Sequence, residues 1–124
     1  MSFFSKGDME MSDKRFLKRK KSIFYLKVED YVSGKEIGRL VDITDLGFRI
    51  ITGSSVATGK ELVLTIELPE AFEGREQILF KATCMYNTKD VNPDYYSAGF
   101  QFKDITVGER NVIFWLSKNY IFQE

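Results

Sequence analysis

The sequence predicts a mainly-β fold, a six-stranded antiparallel β-barrel or sandwich with one C-terminal α-helix and a flexible basic N-terminal arm. Three observations predict it. Apolar residues recur at period two in short runs between positions 22 and 103, with turn residues between the runs. A helical pattern appears once, after the last run. Ahead of the first run stands a cluster of lysines and arginines.

Residues 1–13 are polar, carry Gly7 and show no periodicity, and are expected to be a disordered tail. The arm, residues 14–21, follows. Residues 22–32 form the first expected strand, closed by the turn Ser33-Gly34-Lys35. Residues 36–43 and 46–52 form the next two, and Gly53-Ser54-Ser55 ends the third. In residues 60–68, Leu62, Leu64, Ile66 and Leu68 share a face, and Pro69 is expected to end the strand because it has no N–H for the ladder. In residues 76–86, Ile78, Phe80, Ala82, Cys84 and Tyr86 share a face. Residues 95–103 do the same with Ala98, Phe100 and Phe102. Six strands with short turns and no helices between them suggest an antiparallel barrel or sandwich, and the barrel is the form that the family resemblance given below implies. Thr106-Val107-Gly108-Glu109 then has the form of a capping box, and Val112, Trp115 and Leu116 make an apolar face, so a helix is expected over 106–120. The whole reads as one domain over residues 14–122, with its barrel over 22–104.

Composition removes several function classes. The chain has no histidine, which excludes most zinc sites and histidine-based triads, and its lone cysteine is a poor nucleophile without one. An enzyme is therefore not expected, nor a metal or a cofactor. A single cysteine allows no internal disulfide, which agrees with a reducing compartment. No apolar run is long enough to span a bilayer, and the N-terminus lacks a signal-peptide core, so cytoplasmic residence is expected. The charges balance at 18 basic and 18 acidic groups but are unevenly placed. Residues 1–21 hold seven basic and three acidic groups, and the remainder holds 11 basic and 15 acidic. A basic arm on an acidic body suits a ligand with one or two phosphates better than a nucleic-acid polymer, which needs a broad basic face.

Two local patterns carry chemistry. Arg15-Phe16-Leu17-Lys18-Arg19 is an R-x-x-x-R. After 22 intervening residues, Asp42-Ile43-Thr44-Asp45-Leu46-Gly47 is a D-x-T-x-x-G between two expected strands. Arginine's planar fork can grip a guanine edge or a phosphate through two hydrogen bonds, and its face can stack on a base. Asp42 can accept from the guanine N1–H and N2–H₂ edge. The Thr44 hydroxyl can donate to a phosphate or accept from a base. Gly47 permits either positive φ or a close backbone approach.

Together the two motifs resemble the signature of the PilZ domain family, which pairs R-x-x-x-R with [D/N]-x-S-x-x-G and binds cyclic di-GMP. Gly38 to Thr44 is similar to that family's strand entry, and Ala98 to Phe102 to its late barrel strand, so the resemblance covers about residues 14–122. It implies a bacterial second-messenger receptor that contacts cyclic di-GMP through Arg15, Arg19, Asp42, Thr44 and Gly47. In that reading the ligand orders the arm, and the changed surface signals to an effector protein. One departure is Thr44, where the family usually has Ser; the hydroxyl is kept, with an expected cost of about 1 kcal/mol or less. The departure keeps open the alternative of a ligand-independent adaptor. Lysines 14, 18 and 20 add charge that could serve one nucleotide or an intercalated pair. Read without the family, the arm is a solvated basic tail and Asp42–Gly47 a hairpin turn. Arg39 and Arg49 near the loop read equally well as outward strand residues, Trp115 as a core anchor, and Cys84 as a small buried hydrophobe.

Overall fold

A computed structural model of the chain describes residues 21–23 and 26–122. The expected tail and most of the arm, with Arg15 and Arg19, lie outside the described residues. The described elements are β1 (Lys21–Ile23), β2 (Lys27–Asp30), β3 (Glu36–Ile43), β4 (Gly47–Thr52), β5 (Glu61–Phe72), β6 (Arg75–Lys89), β7 (Tyr96–Lys103), α1 (Val107–Asn119) and β8 (Tyr120–Phe122).

Six of the strands close an antiparallel barrel in the order β2-β3-β4-β7-β6-β5, with β2 pairing back to β5. Closure leaves these strands without an unpaired edge. The alternation read in the sequence fills the interior. Val28, Ile50, Leu64, Ile66, Ala82, Cys84 and Ala98 are all fully buried there. Phe48 stacks on Phe100 at 5.0 Å between centroids and meets Phe80 edge-on at 5.4 Å. Removing each of the Val, Leu, Ile and Phe side chains from water contributes roughly 1.5–3 kcal/mol, which is why the alternation dominates the fold.

The helix caps this core. Thr106 and Glu109 form the capping box in both directions, with the Glu109 N–H donating to Thr106 Oγ1 at 3.1 Å and the Thr106 N–H to Glu109 Oε1 at 3.2 Å. Val112, Ile113 and Leu116 enter the same core cluster as the barrel residues. Trp115 is half-buried and stacks on Phe72 at 4.5 Å, as expected of an anchor. Next to it, Tyr120 meets Trp115 edge-on, and its hydroxyl donates to the Glu70 carboxylate. Burial first, then that carboxylate, pushes the Tyr120 phenol up to about 12.

Three expectations need correction. The strand expected over 22–32 is two strands. Only β2 belongs to the barrel, while β1 pairs in parallel with β8, Lys21 opposite Tyr120 and Ile23 opposite Phe122. Period-two patterning does not say which partner a strand takes, so the change of partner was invisible in it. Pro69 does not end β5, which runs on to Phe72. The β5–β6 register instead slips between Glu67 and Phe72, so the proline sits where the ladder is already broken and its missing N–H costs nothing. Tyr86 does not share the core face of Ile78–Cys84. The β6–β7 register slips between Cys84 and Tyr86, and Tyr86 turns outward.

Candidate functional site

The loop Asp42–Gly47 is a tight connection between β3 and β4. The Thr44 N–H donates to the Gly47 carbonyl at 2.8 Å. Thr44 Oγ1 accepts from the N–H groups of Leu46 and Gly47 at 3.2 and 3.4 Å, and lies 3.4 Å from the Gly47 carbonyl to which it can donate. The hydroxyl thus shapes the loop, a task serine would perform equally. Gly47 is not in the left-handed region, so the positive-φ role open to it from sequence is not the one it plays. A Cβ there would overlap the Phe100 carbonyl of β7. The glycine lets β7 come close enough for the Phe102 N–H to donate to the Leu46 carbonyl at 3.0 Å.

Two register slips decide what faces outward. Leu40 and Ile43 are both in the core although they stand three apart, which strict alternation forbids. The slip between Leu40 and Asp42 absorbs the extra residue, Val41, and leaves Asp42 exposed opposite Arg49. On β6 the extra residue is Met85, and Tyr86 emerges opposite Gly99. Arg49 is itself the partner of Gly99. Four strands therefore present one transverse row on the barrel's outer surface, Asp42–Arg49–Gly99–Tyr86. At the ordinary strand spacing it spans about 14 Å.

This row floors a groove of about 390 Å³ whose walls include Thr44, Leu46, Gly47, Met85 and Gln101. Leu46 at 70% exposed and Met85 at 56% add apolar surface to the walls, and Tyr86 in the floor is 42% exposed. The Tyr86 ring fills the space that a side chain at position 99 would need. Arg49 Nη1 lies 3.5 Å from Ser97 Oγ, which accepts its hydrogen bond.

The structure thus brings Asp42, Thr44 and Gly47 into one groove; Arg15 and Arg19 lie outside the described residues. It adds Arg49, and it adds Met85, Tyr86, Gly99 and Gln101, which sequence reasoning missed. A signal existed for one of them: a glycine inside an alternating strand marks a close approach of something to the backbone. A larger groove of about 510 Å³ lies between the other ends of β3 and β4 and the β6–β7 loop, with Arg39, Thr52, Asp90 and Tyr95 in its walls. Asp42, Thr44 and Gly47 do not line it, and size alone does not make it the site. Burial pushes the Cys84 thiol up, so it stays protonated and behaves as the small hydrophobe it was read to be. Among the described residues no cluster of His, Cys, Asp and Glu suits a metal ion, and no helix is long and apolar enough to cross a membrane.

Comparison with known proteins bears on the family and the fold. A search of curated proteins finds no match. Among solved structures, the inhibitor of motility MotI/DgrA from Bacillus subtilis superposes with a TM-score of 0.55 at 21% identity, over 76% of this chain and 44% of that one. This chain thus spans less than half of the Bacillus protein. The PilZ domain of YcgR from Escherichia coli, solved with c-di-GMP, superposes with a TM-score of 0.53 at 13% identity, over 76% of this chain and 82% of that one. At these identities the two show a shared fold. The family profile described as PilZ domain matches residues 13–123, which takes in the arm, the barrel and the helix, and the chain belongs to the PilZ domain family.

Proposed function

We propose that this protein is a cyclic di-GMP receptor that works by binding, without a catalytic step. The observation that carries the reading is the convergence of Asp42, Thr44 and Gly47 in one outward groove, downstream of an R-x-x-x-R arm. Asp42 is exposed at the end of the transverse row, where its carboxylate can accept from the two donors on a guanine edge. Thr44 and Gly47 act through the loop: the hydroxyl holds its shape, and the glycine keeps it against β7. Arg19 stands two residues and Arg15 six residues before Lys21. An extended chain lets them reach about 7 Å and 20 Å from that anchor, and their side chains reach further. In this reading the arm closes over the groove, its forked guanidinium groups take phosphate or guanine, and the altered surface recruits an effector protein. The YcgR domain, whose structure holds c-di-GMP, has the same fold, which supports the choice of nucleotide.

Competition between cyclic di-GMP and cyclic di-AMP tests the reading. Adenine lacks the N1–H and N2–H₂ donors that Asp42 would accept from, so only the guanine form should bind tightly, and Asp42→Ala should lose most of the preference. Equal affinity for both nucleotides would contradict the assignment. One observation favours the alternative of a ligand-independent adaptor: the Thr44 hydroxyl is already engaged within its own loop. That alternative predicts no heat with either nucleotide.

A further inference from the structure

We propose that the Tyr86 ring is the surface on which a guanine base stacks in the groove, an inference that rests on the reading of this groove as the cyclic di-GMP site. Nothing in the two motifs points to Tyr86, which lies 39 residues beyond Gly47. Its position comes from three features of the fold. The register slip at Met85 reverses the parity of β6 and turns Tyr86 from the core to the outer surface. Glycine at its cross-strand partner, position 99, leaves the space the ring occupies, since a Cβ there would overlap the ring. The ring therefore leans along the row toward Arg49 and Asp42 instead of standing out into solvent. Yet it remains 42% exposed, beside Met85 at 56% and Leu46 at 70%.

An aromatic ring held open in a groove whose other floor residues are a carboxylate and a guanidinium matches what a purine offers. The face of the base is apolar and polarizable; its edges donate and accept hydrogen bonds. Stacking on an aromatic side chain covers the face and tolerates any base. The polar residues of the same row meet the edges and choose among bases. Tyr86 thus supplies affinity, whereas Asp42 supplies discrimination.

The experiment is calorimetric titration of cyclic di-GMP into the wild type, Tyr86→Leu and Tyr86→Phe, with proton NMR of the bound nucleotide. Leu should weaken binding about tenfold or more, and Phe should stay within about twofold of wild type. Guanine H8 should move upfield in the wild type and the Phe variant and show cross-relaxation to the ring protons of residue 86. Should the Leu variant fold poorly, cross-relaxation in the wild type decides alone. Wild-type binding with no guanine contact to the Tyr86 ring would overturn the inference while leaving the ligand assignment standing. A Phe variant as weak as Leu would overturn it too, because the hydroxyl and not the ring face would then matter. A wild type that does not bind cyclic di-GMP at all would overturn the ligand assignment and this inference together.

Discussion

Thr44, Gly47 and Tyr120 each show one side chain or its absence setting local structure. The Thr44 hydroxyl satisfies two loop N–H groups, so Thr44→Ser should be nearly neutral, whereas Thr44→Val should cost about 1 kcal/mol of stability, measured by urea unfolding. A Val variant as stable as wild type would mean the loop holds its shape without the hydroxyl. Tyr120 gives a pH signature. Its folded-state phenol is raised to about 12 from an ordinary 10.0, so the unfolded chain loses this proton first. The stability it contributes is complete below pH 10 and declines as pH rises from 10 toward 12. Tyr120→Phe should be about 1 kcal/mol less stable than wild type at pH 9, for want of the bond to Glu70, and the gap should narrow by pH 11.5. A gap independent of pH would show that the phenol is not protected. Asp42, Thr44 and Gly47 could be named from sequence because they sit within six residues of one another, close enough for a local pattern to hold them.

At the scale of elements, local signals were legible and pairings were not. The capping box was readable because both partners lie within one turn, and it forms as expected. Replacing Thr106 with Ala should destabilise the protein by about 1 kcal/mol, seen as a lower urea midpoint with an unchanged slope. An unshifted midpoint would mean that α1 is held by Val112, Ile113 and Leu116 alone. The six barrel strands were legible because burial of one face forces alternation. Register was not, because it depends on which strand lies alongside. The slips at Val41 and Met85 have no local marker, yet they place Asp42 and Tyr86 on the same outer row. The pairing of β1 with β8 belongs to the same class: Lys21 and Tyr120 are 99 positions apart, and only the helix brings the end of the chain back to its start.

At the scale of the whole molecule, the groove and the arm are two parts of one proposed site joined through an uncommon anchor. The barrel supplies the fixed part, a four-strand row with Asp42 at one end and Tyr86 at the other. The arm leads into β1, and β1 is held by β8 at the foot of α1, where Tyr120, Trp115, Phe72 and Glu70 form one contact group. In the proposed reading, a ligand that draws the arm toward the groove would act on β1, the strand paired with β8 beside the helix. The charge distribution fits this division, since residues 1–21 carry a net charge of +4 (7 basic, 3 acidic) and the remainder a net charge of −4 (11 basic, 15 acidic). In the proposed site the arm arginines and the groove bind one nucleotide together. Calorimetric titration of cyclic di-GMP into the wild type, Arg15→Ala and Arg19→Ala tests it most directly. The wild type should bind measurably and each variant should lose about tenfold or more in affinity, the size expected when a charge-assisted, forked hydrogen bond is removed. Equal affinity in all three proteins would contradict it.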